Sequence, residues 1–227
     1  GLGDVYKRQD HGCKVIGVIE KKTSFYNQKG LDIDQIDSWI KGSRDPKDYP
    51  NQNEIKSREE LLSVGCDIFI PAAREGTITE ENQKILNTKL ICEGANGPLT
   101  SRADHYLNKR GILIIPDLYA NAGGVAVSYF EWVRNLSHMR CGRMEKRRKE
   151  YETTSILSVI ESSTGKRVSS KTKSMLNQGP TELDLVRSGL EDMMTEAYEN
   201  MSIIWNENNY PTLRSTAYIY SIKKLIE

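Results

Sequence analysis

The chain lacks both an excess of charge of one sign and any long hydrophobic run. Its 32 lysine and arginine residues nearly balance 31 aspartate and glutamate residues, which leaves a net charge of +1 at pH 7. A basic surface, the usual mark of a protein that binds nucleic acid, is therefore not expected. No stretch approaches the roughly 20 consecutive apolar residues that a membrane-spanning helix requires. The sequence predicts a globular chain with neither a nucleic-acid nor a membrane partner.

Cysteine and histidine are also scarce, with four and three residues respectively. The cysteines lie far apart, form no Cys-x-x-Cys pair and have no histidine at the spacing of metal ligands. They are Cys13, Cys66, Cys92 and Cys141. We therefore predict reduced thiols inside a cell and no metal site.

Short apolar runs alternate with polar, helix-like segments along the first half of the chain. The runs are KVIGVI (14–19), DIFIPA (67–72), KLICEGA (89–95) and GILIIPD (111–117). This alternation is typical of a mostly parallel sheet that is covered by helices. The sequence therefore predicts an α/β fold.

Three segments between these runs carry helix signals. Residues 32–41 place three isoleucines on one helical face, and Thr79 begins the acidic segment TEENQKIL. Thr100 precedes a further segment that closes at Gly111. Because threonine caps helix N-termini and glycine ends helices, we predict helices in all three segments.

The first nine residues, GLGDVYKRQ, superficially match the glycine-rich turn that opens a dinucleotide-binding unit. That turn follows a strand and carries a third glycine. Here no strand precedes it, and Tyr6 stands at the third glycine position. We expect residues 1–9 to be a non-native leader, with the native sequence beginning near Asp10.

In open parallel sheets, ligands bind outside the carboxyl ends of the strands, so the loops after the apolar runs form the candidate site. The first run ends in Glu20, whose carboxylate can accept hydrogen bonds from ribose hydroxyls; the alternative is a solvated charge beside Lys21 and Lys22. The second run leads into Ala72 and Ala73, whose small side chains allow a flat ligand close to the backbone. A tight structural turn would use the same residues.

The third and fourth loops place asparagines beside glycines. Asn96 lies within CEGANGPLT, and Asn121 lies within PDLYANAGGVAVSYFEWVRN. An amide that both donates and accepts hydrogen bonds can bind a ligand there, although asparagine is also a common turn residue. Ser128 follows on a predicted helix, on which Val127, Phe130, Trp132 and Val133 are interpreted as packing residues.

The succession of EGANGP and PDLYANAGGVAVSYFEW resembles the glutamate dehydrogenase family. The resemblance continues through DIFIPAA, DLVRSGLEDMM and LRSTAYIYSIKKL, and it covers residues 11–227. It implies a truncated Rossmann-like NAD(P)-binding domain at 10–144 that lacks its first strand and phosphate turn. It further implies an antenna-like insertion at 145–181 and pivot and C-terminal helices at 182–227.

The resemblance also implies roles for the loop residues. Glu20 would face the adenosine ribose, and Ala72 and Ala73 the adenosine side of the cofactor. Asn96 and Asn121 would lie at the nicotinamide end. The cofactor would be NAD or NADP, since Glu20 disfavours a 2′-phosphate while the lysines that follow it would accept one.

Ser128 would hydrogen-bond the side-chain carboxylate of glutamate, and a hydroxyl matched in this way rejects analogues that lack the carboxylate. The implied reaction is oxidative deamination of L-glutamate to 2-oxoglutarate and ammonia. The family's catalytic lysine and aspartate belong to an N-terminal domain outside this chain. We therefore expect no catalytic residue here and an inactive fragment.

Antenna-bearing relatives are allosteric homo-hexamers regulated by ADP and GTP. By resemblance, Arg134 would face bound ADP, and Arg187 replaces a histidine near the GTP site, so the GTP contact is expected to change. The antenna implies the mitochondrial matrix, with the cytoplasm as the alternative. Two alternative functions stay open. The protein could be a leucine, phenylalanine or valine dehydrogenase, or it could be a non-catalytic nucleotide-sensing or subunit-interaction module.

Overall fold

A computed structural model describes residues 12–20, 23–42, 45, 48–137, 141–177 and 182–226. The expected leader at 1–9 and the pair Lys21 and Lys22 lie outside these ranges. The chain divides into two compact units, Gly1–Ile115 and Pro116–Glu227. Within the described ranges, no helix combines the length and the apolar character needed to cross a membrane. The domain boundaries expected from the resemblance stay predictions.

The first unit contains two three-stranded sheets. One is antiparallel, in the order β1 (Gly17–Ile19), β2 (Ser24–Tyr26) and β3 (Ile55–Lys56). The other is parallel, in the order β4 (Cys66–Phe69), β5 (Thr88–Cys92) and β6 (Leu113–Ile115). Together with the helices that follow, the parallel sheet confirms the predicted α/β class.

The sequence predicts that the first apolar run joins the parallel sheet, and this prediction is wrong. β1 instead pairs antiparallel with β2, where Val18 lies opposite Phe25. The Glu20 N–H donates to the Thr23 carbonyl (3.0 Å) and closes the connection between these strands. The run finds its backbone partners close by in the sequence, since the Ile16 carbonyl accepts from the Asn27 N–H (2.9 Å) and the Val15 carbonyl accepts from the Leu31 N–H (2.8 Å). Ile19 nevertheless packs against the core of the parallel sheet.

Two of the three predicted helices of this unit are confirmed. The described helices are α1 (Ile33–Lys41), α2 (Arg58–Ser63) and α3 (Ser101–Lys109). Asp32 caps α1 by accepting from the Gln35 N–H (3.0 Å), and Thr100 caps α3 by accepting from the Ala103 N–H (3.2 Å). Gly111 follows α3 with a φ of 77°, a left-handed conformation that glycine adopts without strain.

The prediction of a helix at 79–86 is wrong, because the structure has successive turns over 80–85. The Asn82 side chain explains the difference. Its Oδ1 accepts from the Thr79 N–H (2.8 Å), and its Nδ2 donates to the Thr77 carbonyl (3.0 Å). An asparagine side chain that bonds the backbone in this way competes with the helical hydrogen-bond pattern.

Arg110 holds the other end of this turn segment. Its Nη1 donates to the carbonyls of Gln83 (3.3 Å) and Leu86 (3.1 Å), and its guanidinium lies 5.8 Å from the ring centre of Tyr106. The Arg110 side chain therefore satisfies two carbonyls of the turn segment. This arrangement depends on two residues more than 20 positions apart, so local sequence did not reveal it.

Two hydrophobic clusters form the core of the first unit. The larger lies between the parallel sheet and α3 and contains Leu62, Ile78, Leu86, Ile91, Leu99, Ala103, Leu107, Ile112 and Ile114. The smaller lies against the antiparallel sheet and contains Phe25, Leu31, Ile33, Ile36, Trp39 and Tyr49. In the smaller cluster the Phe25 ring lies edge-on to Trp39, with centres 5.2 Å apart.

A buried carboxylate links the smaller cluster to the turn after β2. Glu54 is 7% exposed. Its Oε2 accepts from the Tyr49 hydroxyl (2.7 Å) and its Oε1 accepts from Asn27 Nδ2 (2.6 Å). Burial raises the pKa of the Tyr49 phenol above its ordinary value, and the hydrogen bond to Glu54 raises it further. Tyr49 therefore stays protonated and donates to Glu54 over the whole physiological range.

We predict that Tyr49→Phe lowers the free energy of unfolding by about 1.5 to 3 kcal/mol, since it removes a donor from a buried charged acceptor. The measurement is urea denaturation of the full chain. Tyr151→Phe is the matched control, because Tyr151 is 76% exposed. Equal denaturation midpoints for the two variants would contradict a stabilising role of the Tyr49 hydroxyl.

The second unit is entirely helical in its described residues. Its helices are α4 (Asp117–Ala120), α5 (Ala122–Ser137), α6 (Cys141–Thr164), α7 (Ser170–Asn177), α8 (Glu182–Asn208) and α9 (Leu213–Ile226). Helices are expected over 182–227, and α8 and α9 occupy most of that range. α8 packs against both α5 and α9, whereas α6 packs against α7.

The short helix α4 is anchored to both long helices of the bundle. The Tyr119 hydroxyl donates to the Met194 carbonyl of α8 (2.8 Å). Arg214 of α9 forms an ion pair with Asp117 (3.1 Å), and their side chains are 23% and 20% exposed. These partly buried contacts hold the start of the GGVAVSYF segment, which follows α4 directly.

Helices α6 and α7 form a hairpin that exposes most of its apolar side chains. Only Leu157 is buried among the described apolar side chains of α6, whereas Tyr151, Ile156, Val159 and Ile160 are exposed. The hairpin is closed by Glu161, which accepts from Lys173 Nζ (2.9 Å) and from the Val168 N–H (2.7 Å). The hydrogen bond from Lys173, followed by that from Val168, lowers the pKa of the Glu161 carboxyl.

We predict that Glu161→Gln loosens the docking of α7, because glutamine cannot form the ion pair with Lys173. A lowered carboxyl pKa stabilises the fold above the unfolded-state pKa and loses this effect as the pH falls through the folded-state pKa. The protection factors of the amides over residues 168–177, which are exchange rates corrected for the intrinsic pH dependence of amide exchange, should therefore fall on acidification in the wild type.

The Glu161→Gln variant should show lower protection factors at neutral pH and a weaker dependence of those factors on pH. Glu152→Gln is the control, because Glu152 pairs with Arg148 inside α6 (2.9 Å) and does not bridge the hairpin. Identical exchange in the wild type and Glu161→Gln at neutral pH would refute the role of this contact.

Candidate functional site

The loops after β4 and β5 meet at the carboxyl edge of the parallel sheet. The Ala95 N–H donates to the Pro71 carbonyl (2.9 Å). A Cβ on Gly94 would lie 3.0 Å from the Cβ of Ala72, closer than an ordinary contact, so an added side chain would push the two loops apart. The structure thus brings the predicted residues Ala72 and Ala73 to the same edge as the loop of Asn96, and all three are exposed.

A second set of backbone hydrogen bonds joins the same two loops at positions further along the chain from the strand ends. The Gly76 N–H donates to the Gly97 carbonyl (2.9 Å), and the Ile78 N–H donates to the Pro98 carbonyl (2.9 Å). Gly76 and Gly97 have φ angles of 58° and 51°, where glycine is favoured. The two loops are therefore held at both ends, and their small residues keep fixed positions without packed side chains.

Glu93 lies at the base of this paired loop and was missed in the sequence analysis. Its side chain is fully buried at 0% exposure, and its N–H donates to the Ile115 carbonyl (3.1 Å). A buried carboxyl at the ligand-binding edge of a sheet is a candidate functional group. The available signal was an acidic residue directly after an apolar run, the same signal that had selected Glu20.

Glu20 lies at the end of β1 in the antiparallel sheet, and its side chain is exposed. Its position is therefore set by the hairpin and not by the register of the parallel sheet. In the part of the chain that the structure describes, no hydrogen bond joins the Glu20 side chain to the two tied loops. The structure brings Ala72, Ala73 and Asn96 together, and Glu20 stands apart from that contact.

The second unit holds the other predicted site residues. Asn121 ends α4, and its N–H donates to the Asp117 carbonyl (3.1 Å). Ser128 lies on α5, is exposed, and donates its hydroxyl to the Gly124 carbonyl one turn earlier (3.1 Å). The serine oxygen keeps its acceptor capacity, and rotation about χ1 releases its proton for another acceptor.

The packing role expected for Trp132 and Val133 is wrong, because their side chains are 56% and 40% exposed. Helix α5 buries the face that carries Gly123, where a Cβ would lie 3.3 Å from the Leu190 side chain of α8. Trp132 lies off this face and instead approaches the Tyr129 ring (6.0 Å between centres). Helical periodicity alone did not show how narrow the buried face is.

The two basic residues linked to regulation lie on different helices. Arg134 is part of α5, and its side chain lies outside the described residues. Arg187 lies on α8 with an exposed side chain. No group of three or more His, Cys, Asp or Glu side chains close enough to hold a metal occurs among the described residues.

The parallel sheet, with helices and two tied loops at its carboxyl edge, defines a Rossmann-like α/β unit of the class in which ligands bind at that edge. A family model described as Glutamate/Leucine/Phenylalanine/Valine dehydrogenase matches residues 1–178. The chain belongs to this family.

Relatives with established names support the same assignment. The chain is 43% identical over 214 residues to the mitochondrial glutamate dehydrogenase of Dictyostelium discoideum, covering 94% of this chain and 42% of that protein. It is 43% identical over 236 residues to a probable glutamate dehydrogenase of Sinorhizobium fredii, covering 100% of this chain and 53% of that protein. The chain therefore spans about half the length of these relatives.

Solved structures share the fold. The hetero-hexameric glutamate dehydrogenase of Thermus thermophilus matches with a TM-score of 0.70 at 19% identity, covering 99% of this chain and 43% of that chain. Glutamate dehydrogenase 2 of Plasmodium falciparum matches with a TM-score of 0.66 at 21% identity, covering 98% of this chain and 42% of that chain. At these identities the likeness concerns the fold alone.

We predict that Gly94→Ala destabilises the protein by about 1 to 3 kcal/mol, because the added methyl forces the tied loops apart. Gly124→Ala is the matched control: Gly124 lies in α5 with no atom within 4 Å of an added Cβ. In a helix this change should stabilise by about 0.5 to 1 kcal/mol. Urea denaturation measures both variants, and unchanged stability of Gly94→Ala would show that the loops separate without cost.

Proposed function

We propose that this chain is the cofactor-binding part of a glutamate dehydrogenase. The full-length protein would catalyse oxidative deamination of L-glutamate to 2-oxoglutarate and ammonia with NAD or NADP. The observation that carries the proposal is the pair of tied loops at the carboxyl edge of the parallel sheet, in a chain of this dehydrogenase family. Because these relatives are about twice as long as this chain, we expect the full-length protein to contain a further domain.

Within the first unit, we assign the adenosine half of the cofactor to Glu20, Ala72 and Ala73. The two alanines are exposed on a loop whose backbone is held in place, so a flat ring can approach without displacing a side chain. Asn96, on the adjoining loop, would serve the nicotinamide end. The cofactor would perform the hydride chemistry, and these residues would orient it.

Within the second unit, Asn121 would also serve the nicotinamide end and Ser128 would bind the glutamate side-chain carboxylate. The Ser128 hydroxyl donates to the Gly124 carbonyl (3.1 Å). Binding of a carboxylate would therefore require the hydroxyl to turn away from that carbonyl, exchanging a neutral acceptor for a charged and stronger one. No catalytic acid or base is assigned in this chain, so the chain by itself would be inactive.

Cofactor preference and regulation belong to the same proposal. Glu20 supports NAD because a carboxylate repels a 2′-phosphate, whereas one relative, from Halobacterium salinarum, is named NADP-specific. The exposed α6–α7 hairpin supports an antenna over residues 145–181, with Arg134 and Arg187 as ADP and GTP contacts in a homo-hexamer. A mitochondrial location is supported by the name of the Dictyostelium relative.

The test is a glutamate-dependent NAD and NADP reduction assay on the product of the full-length reading frame and on residues 10–227 alone. We expect activity from the full-length protein only. Leucine, phenylalanine and valine are assayed in parallel, and a preference for any of them would replace glutamate as the substrate. A full-length protein that binds nucleotide without any dehydrogenase activity would favour a nucleotide-sensing module.

Ser128→Ala tests the substrate assignment in the same assay. Loss of a hydrogen bond to a charged group should lower kcat/KM for glutamate by about 10- to 100-fold. Ser155→Ala is the matched control, since Ser155 is an exposed helical serine that donates to the carbonyl of Tyr151 (2.9 Å) in the same way. Equal kcat/KM values for the two variants would remove Ser128 from the substrate site.

A further inference from the structure

Arg74 is the first long side chain after the two small residues of the β4 loop. The loop leaves Pro71, passes Ala72 and Ala73, and reaches Arg74 at the exposed carboxyl edge of the sheet. Among the described residues, no hydrogen bond or ion pair to the Arg74 guanidinium is present. Lys89, by contrast, pairs with Asp67 (2.7 Å) nearer the opposite end of the strands.

The backbone at Arg74 is held in place although its side chain is exposed. The Thr77 hydroxyl, on a residue with 9% exposure, donates to the Arg74 carbonyl (2.8 Å). On either side, the loop is bonded to its neighbour through the Ala95 N–H and the Gly76 N–H. The base of the guanidinium arm is therefore fixed, which reduces the entropy lost when the arm binds a ligand.

We propose that Arg74 binds the adenine ring of the dinucleotide, with its guanidinium stacked on a ring that lies over Ala72 and Ala73. The inference rests on the proposed function, which assigns the adenosine half of the cofactor to this loop. A planar, delocalised cation stacks well on aromatic faces, and lysine lacks this geometry. The ring would be held between a surface without long side chains and the exposed guanidinium of Arg74.

Stacking on adenine and a contact with phosphate make different predictions. Adenine stacking requires the planar guanidinium, so Arg74→Lys should weaken binding nearly as much as Arg74→Ala. A phosphate contact requires only positive charge, so Arg74→Lys should then bind almost normally. A ligand without adenine, nicotinamide mononucleotide, should be insensitive to either change if adenine is the partner.

The experiment measures KM for NAD and for nicotinamide mononucleotide, and Kd for ADP-ribose, in the full-length protein. We expect Arg74→Ala and Arg74→Lys to raise KM for NAD and Kd for ADP-ribose by about 5- to 20-fold, in the range of a desolvated cation–π contact. The kcat for glutamate should stay unchanged, because the contact is equal in ground and transition states. Lys89→Ala is the control and should change none of these values.

Each outcome of these measurements either supports or overturns the contact between Arg74 and adenine. Full rescue by Arg74→Lys, equal losses with nicotinamide mononucleotide, or unchanged ADP-ribose binding would each overturn adenine stacking. If the wild type lacks glutamate dehydrogenase activity but binds ADP-ribose in an Arg74-dependent manner, the proposed reaction fails and the adenine contact stands. A wild type that does not bind ADP-ribose overturns the contact itself.

Discussion

The backbone hydrogen bonds between the loops after β4 and β5 are the constraint on which the candidate site depends. The bonds from Ala95 to Pro71 and from Gly76 to Gly97 hold the two loops at both ends. Surface loops are ordinarily the most mobile parts of a fold. Here the loops satisfy each other's backbone groups, so they stay ordered although small residues occupy most of their length. That order allows an exposed alanine pair to serve as a binding surface, and it gives Arg74 a fixed base.

Polar side chains make corresponding contacts elsewhere in the first unit. Glu54 joins the turn after β2 to an aromatic cluster through Tyr49, and Arg110 binds the carbonyls of a segment that has no helix of its own. The Glu54 carboxyl would be costly to bury alone and is stabilising when its partners are present. In the second unit, the ion pair between Arg214 and Asp117 does the same for the start of the Ser128 helix.

Local signals in the sequence predicted structure correctly where the interacting residues lie close together along the chain. Thr100 caps the helix that its position predicted, because a cap involves residues only three positions apart. The Thr79 segment carried the same signal but formed turns, in which the Asn82 and Arg110 side chains bond the backbone. In the site, strand ends predicted Ala72 and its neighbours, whereas the buried Glu93 and the solvent-facing Trp132 depended on packing that periodicity does not encode.

The sequence by itself determined the α/β class, two helices of the first unit with the cap and end of one of them, the family resemblance and the loops in which a ligand site had to be sought. These follow from residue type and short spacing, which act before the chain is folded. The tertiary structure alone decided that β1 pairs within a hairpin, that the loops after β4 and β5 are tied together, and that Glu93 is buried. Each of these depends on groups distant in sequence, and their hydrogen bonds and burial exist only once the strands are brought side by side.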